Sequence, residues 1–197
     1  MKEIERRYAM MRVSRPVDQR GLNTHTGIGM NMGRELYIMS EHNHEYWMHQ
    51  AIAEAHRNVQ HVEGGPFGAI VVKDGQVIGR GRNLVTALND PTAHAEVQAI
   101  REACLHLEDF QLKGCTIYTS CEPCPMCLGA IYWSRPDAVY YASTKQDAAE
   151  IGFDDHFIYD EIAMPMDQRS IPMKQVRTAD YLLPFQAWSS AERKIEY

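Results

Sequence analysis

Three cysteines, Cys121, Cys124 and Cys127, fall within seven residues, and about thirty positions upstream stand His94 and Glu96 in the run Thr92-Ala93-His94-Ala95-Glu96. One imidazole and two thiolates make a ligand set suited to a single zinc ion, and the glutamate adds a carboxylate that need not coordinate. Cys124 and Cys127 are three apart behind Pro123, where prolines are compatible with a helix's first turn but not its interior. Both sulfurs would then project to one face, and the positive end of the helix dipole would favour their thiolate forms. With His94 as third ligand, a fourth position is left for water, which separates a catalytic zinc from a structural one. Zinc lowers the pKa of such a water towards about 7. Glu96 beside it is suited to take its proton and pass it to a leaving group, as in hydrolytic attack on an amidine-type ring carbon with loss of ammonia.

Two other readings of these cysteines stay open. A structural zinc would use His94 and all three cysteines. An iron–sulfur run needs a fourth cysteine soon after Cys127, but position 131 is Ile and no later cysteine exists. The odd total of five cysteines fits metal chemistry in a reducing compartment better than a disulfide framework, and Cys104 and Cys115 read as small buried hydrophobes.

The elements that must position these groups can be read from periodicity and turn signals. From about His44 to Val62, Trp47, Ala51, Ile52, Ala55 and Val59 recur at helical spacing. Gly64-Gly65-Pro66 ends that helix, and Phe67 to Val72 reads as a buried strand. Asp74-Gly75 signals a primed hairpin turn into a returning strand, Gln76 to Arg82. A second helix carries Ala93 to Leu105. Positions i and i+2 diverge by roughly 200° on a helix, so His94 and Glu96 can share a site only at its tip, with Asp90 or Thr92 as the cap. Thr116 to Ser120 is a strand, Pro123 to Trp133 a third helix, Ala138 to Tyr141 a strand and Lys145 to Ile151 a short helix. Gly152 to Phe157 reads as a loop, Gln175 to Arg177 as a weak final strand, and Pro184 to Tyr197 as a last helix. Such alternation implies an α/β sandwich with parallel strands at its heart.

Charge and composition narrow the partners. The net charge of -6 is a poor footprint for a polyanion, because affinity for nucleic acid comes largely from phosphate neutralisation. No apolar run approaches the roughly 18 residues of a membrane span, and no apolar core follows the charged N-terminus, so the expected location is cytoplasmic. Residues 1–41 lack any sustained period and read as an N-terminal extension before one domain at 42–197. Acids interspersed there count against a transit peptide, and Met39 is a candidate natural start.

At these residues the sequence resembles the cytidine deaminase-like superfamily and, across about residues 43–197, its bacterial guanine deaminase family. The resemblance is carried by Gly64 to Ala69, Asn89 to Glu96, Ser120 to Trp133, Gly152 to Asp155, and the tail from Pro184 to Tyr197. It implies a three-layer α/β/α sandwich around a mixed five-stranded sheet, with one zinc ion per subunit. It also implies hydrolysis of guanine to xanthine and ammonia, and a homodimer whose exchanged C-terminal segment brings Tyr197 to the neighbouring pocket. By position, Phe67 would stack on the purine, Asn83 would hold its edge and the backbone near Ala69 would line the pocket. Trp133 would wall it and Asp155 would meet the exocyclic amine.

By spacing alone these residues have plainer roles: Phe67 and Trp133 as core, Asn83 as a turn residue, Asp155 as a loop charge, Tyr197 as a chain end. Deamination of another base, such as adenosine in transfer RNA or free cytosine, and non-catalytic metal binding remain the competing functions.

Overall fold

The computed structural model describes residues 44–196. The expected extension at 1–41, the candidate start at Met39 and the terminal Tyr197 lie outside that range. Helix α1 (His44–Gln60) leads into the hairpin β1 (Gly68–Lys73) and β2 (Gln76–Arg82). The turn between them has positive φ at both Asp74 and Gly75, as a primed turn requires. A short α2 (Val85–Leu88) precedes α3 (Ala95–Leu107), and β3 (Cys115–Cys121), α4 (Pro125–Ser134) and β4 (Ala138–Ser143) follow. The chain continues through α5 (Lys145–Glu150), α6 (His156–Ala163), a 3-10 turn at Met166–Gln168 and α7 (Leu183–Ser190). No helix among the described residues is long and apolar enough to cross a membrane.

The sheet runs β2-β1-β3-β4. β1 is antiparallel to both β2 and β3, while β3 and β4 are parallel, joined through α4. Alternation along β1 sends Ala69 and Val71 into the core under α3, and Ile70 and Val72 to the opposite face, against Trp47 and Ala51 of α1. Helices thus cover both faces of a mixed sheet. Ile70, Val71 and Ile117 are fully buried, each stabilising the fold by roughly 1.5–3 kcal/mol relative to exposure.

Glycines let the helices reach the sheet. A Cβ at Gly81 would lie 1.9 Å from the Ala95 carbonyl oxygen and 2.6 Å from the Ala99 nitrogen. With Ala95, Ala99 and Ala103 all fully buried, the backbone of α3 lies directly on β2, which fixes the height of the α3 tip above the sheet.

The sequence reading is corrected at several points. The sheet has four strands among the described residues, not five, because a strand exists only by pairing and Gln175 to Arg177 pairs with no other described residue. The last helix spans Leu183–Ser190 and ends at Ala191, which adopts extended backbone, instead of running on to the C-terminus. The buried stripe of α1 is Trp47, Ala51, Glu54, Ala55 and Asn58, whereas Ile52 and Val59 are exposed. Buried Glu54 is accommodated by Arg57 at 2.8 Å and Arg80 at 3.1 Å. Helix α6 also begins inside the expected loop, at His156. Past Ser143, Ala148 is the sole buried residue among those described, and Phe157, Ile162, Val176, Phe185 and Trp188 all lie exposed.

Candidate active site

Two helix N-termini converge beyond the C-terminal end of β3. On α3 the cap is His94 itself, with extended backbone and no side-chain capping bond, so its imidazole is free to turn outward. The expected caps do other work: Asp90 accepts hydrogen bonds from the Thr92 amide at 2.8 Å and hydroxyl at 2.7 Å, in the turn before the helix. On α4 the cap is Cys124, whose sulfur accepts from the Cys127 amide at 3.5 Å, with Pro125 at the first helical position. Capping by His94 and Cys124 therefore places both ligands at the positive ends of helix dipoles.

The His94 Nδ1 lies 3.5 Å from the Sγ of Cys124 and 3.5 Å from that of Cys127. All three donor atoms fall within 4.8 Å of one another. A tetrahedral zinc with bonds of about 2.3 Å to sulfur and about 2.1 Å to nitrogen sets such atoms about 3.6 Å apart, so these donors already hold the spacing the ion needs. Cys121 does not join them; its thiol donates to the Thr144 carbonyl at 3.5 Å.

Glu96 is buried beside the triad, in the first turn of α3. Its Oε1 accepts from the Thr119 hydroxyl at 3.0 Å and its Oε2 from the Cys127 thiol at 3.3 Å. Burial pushes its carboxyl above the usual range. Cys124 is drawn down to about 4, first by the hydrogen bond it shares with Cys127 and then, against the opposing effect of burial, by His94. Cys127 is pushed up by that same bond and by burial, and His94 is raised chiefly by Cys124. The metal-free pair thus holds one thiol proton, on Cys127, which zinc binding must displace.

His94, Cys124 and Glu96 floor a cleft of about 840 Å³, within the usual range for small-molecule sites, with Cys127 buried behind them. Phe67, Asn83 and Asp155 line it, as do Phe153 and Cys121. The Asp155 carboxyl is raised by burial and by the charge on Cys124. Of the other expected residues, Ala69 is fully buried in β1, in register with Thr119 and part of the core under α3, and is not in the cleft wall. Trp133 lies 62% exposed on α4, away from this wall.

Thr119 and Phe153 were missed from sequence. Thr119 was accessible in principle, since period-2 alternation from buried Ile117 puts it on the α3 face. Phe153, edge-on to Phe67 at 5.0 Å, is fixed by a loop fold that no local spacing encodes.

This arrangement of a histidine, two cysteines and a non-coordinating glutamate at paired helix tips has counterparts among known proteins. Residues 41–143 match the zinc-binding region of cytidine and deoxycytidylate deaminases, and the chain belongs to that family. Within it, the chain is 57% identical over 155 residues to guanine deaminase of Bacillus subtilis, covering 79% of this chain and 99% of that protein. The crystal structure of Bacillus subtilis guanine deaminase superposes with a TM-score of 0.77 at 57% identity, over 79% of this chain and 99% of the other. A tRNA-specific adenosine deaminase of Aquifex aeolicus is 44% identical over 99 residues, which is 50% of this chain and 65% of that protein.

Proposed function

We infer that the protein is a zinc-dependent guanine deaminase, converting guanine and water to xanthine and ammonia. The observation that carries this is the His94, Cys124 and Cys127 triad at zinc spacing with the buried, non-coordinating Glu96 against it, in a chain 57% identical to a guanine deaminase over nearly all of that enzyme. When bound to the triad, zinc supplies the Lewis acidity that makes water a nucleophile near neutral pH.

The chain's own residues would do the rest. Ligation needs Cys127 as thiolate, which removes the thiol proton from Glu96 Oε2 and leaves that oxygen as the site of proton traffic. Thr119 keeps Oε1 in place meanwhile. A carboxylate raised by burial is well matched to taking the proton of the attacking water and returning it to the departing amine. Phe67 presents a ring for stacking, and Asn83 a side-chain amide whose Oδ1 accepts from the Val85 amide at 3.3 Å, leaving its NH2 to donate to the base. Asp155 accepts from the exocyclic amine.

The pocket would be completed in a homodimer by the partner's C-terminal segment and its terminal tyrosine, with Trp133 part of the assembled wall. The many large apolar side chains left exposed past Ser143, among them Phe157, Val176 and Phe185, support this. A fifth strand at Gln175 to Arg177 would then form by pairing with the free edge of the partner's β4.

The test is a substrate panel. Zinc-loaded protein mixed with guanine should release ammonia and form xanthine, whereas adenine, cytosine and transfer RNA should not react. Release of ammonia from transfer RNA instead would favour the adenosine reading. Glu96→Ala should lower turnover by about 10²–10⁴-fold while zinc content stays at one per subunit; unchanged turnover would remove Glu96 from the mechanism.

A further inference from the structure

Asn58 belongs to no motif, yet it is fully buried on the sheet-facing stripe of α1, among Trp47, Ala51 and Ala55. An apolar residue would fit such a stripe without the cost of desolvating an amide. Its Nδ2 donates to two main-chain carbonyls from separate segments, Gly65 at 2.8 Å and Asn83 at 2.7 Å. Its Oδ1 is buried with no hydrogen-bond partner among the described residues. Half of the amide is therefore unsatisfied, and what the side chain contributes is the pair of donors.

Those two carbonyls belong to the two walls of the cleft. Gly65 precedes Phe67, and Asn83 is the amide assigned to the edge of the base. The walls meet closely: the main-chain N–H of Asn83 donates to the Phe67 carbonyl at 3.1 Å. A Cβ on Gly64 would lie 2.1 Å from the Asn83 carbonyl oxygen, and one on Gly65 would lie 3.2 Å from the rings of both Phe67 and Phe153. The main-chain carbonyl of Asn58 also accepts from the Glu63 amide at 3.2 Å, tying the start of the same loop.

We propose that Asn58 is a positioning residue for base recognition: by clamping the carbonyls of Gly65 and Asn83 together, it sets the gap between the stacking wall and the hydrogen-bonding wall. The proposal rests on the guanine deaminase reading and on the role given there to Asn83. Asn58 touches neither the base nor the metal ligands, so its loss acts on substrate binding more than on chemistry.

The experiment is a double-mutant cycle on full-length, zinc-loaded protein, reading kcat and KM for guanine and zinc content. Asn58→Leu, which keeps the volume and removes both donors, is expected to raise KM about tenfold and to change kcat less than about threefold, with zinc retained. In an Asn83→Ala background the same change should raise KM less than about threefold, because the side chain that Asn58 aims is already gone. Should the leucine variant not fold, Asn58→Ala, which leaves room for water to reach both carbonyls, is measured in the same cycle. Unchanged KM, a full tenfold effect in both backgrounds, or a loss confined to kcat and zinc content overturns the proposal. If wild-type protein turns over guanine but Asn83→Ala alone leaves KM unchanged, the role of Asn83 fails and the proposal fails with it. Absence of guanine turnover in the wild type would instead refute the function itself.

Discussion

The chemistry of single side chains here depends on which atom holds which proton. Cys124, pulled down to about 4 by its bond with Cys127, is a thiolate in metal-free protein wherever the pH exceeds about 4. An ordinary thiol, near 8.5, is almost wholly protonated at pH 6. Chelator-treated protein at pH 6 should therefore be alkylated by iodoacetamide at Cys124 well before Cys104 or Cys115, whose thiols are pushed up by burial. Peptide mass spectrometry would show this, and adding zinc back should protect the site. Equal labelling of all five cysteines would mean that Cys124 is not the thiolate of the pair. At this scale the sequence was most legible. His94, Glu96, Cys124 and Cys127 could be grouped because their chemistry is specific and their spacing leaves few alternatives. Asn58 and Thr119 could not, because an isolated Asn or Thr carries no chemical signature, and their roles arise only when elements distant in sequence pack together.

The secondary-structure elements deliver those side chains through backbone approach. The α3 tip carries His94 and Glu96, and its height above β2 is set by glycine opposite alanine. Gly81→Ala would drive a methyl group into the Ala95 carbonyl and should destabilise the protein by about 3 kcal/mol. Urea denaturation would measure this, and zinc content should fall with it as His94 moves off the sulfurs. A variant of wild-type stability that binds zinc normally would show that α3 is positioned by something else. Hairpin, helices and strand order were readable because turn chemistry and period are local properties. The cap of α3 lies a few residues past the expected one, and α4 begins at Pro125 where the expected start was Pro123. Capping preference points to Asp90 and Thr92, but His94 and Cys124 occupy the caps and there bind no backbone through imidazole or only weakly through sulfur. A metal site at a helix tip overrides the ordinary preference.

At the scale of the whole molecule, the residues after Ser143 stand apart from the others described. They carry large apolar side chains, yet bury almost none of them on the sheet. The missing fifth strand and the overextended last helix share one cause: local pattern states what a segment can form, but not whether it meets a surface to form on. If the tail completes a neighbour's pocket, two inactive variants should complement each other. Glu96→Ala protein lacks the proton shuttle but keeps its tail, and protein without Tyr197 keeps the shuttle but lacks the closing residue. Unfolding and refolding the two together should restore guanine turnover in the mixed dimers, at one site of each, as read by ammonia release. Activity no higher than the sum of the separate preparations would place Tyr197 in its own subunit's pocket.

If the tail finds its apolar contacts on another molecule, the fold is subject to mass action. Part of the apolar packing would then form only on encounter, and the working enzyme would become a function of its own concentration. Dilution would act on it as a mild denaturant, opening the cleft before any strand or helix of the sheet domain has loosened.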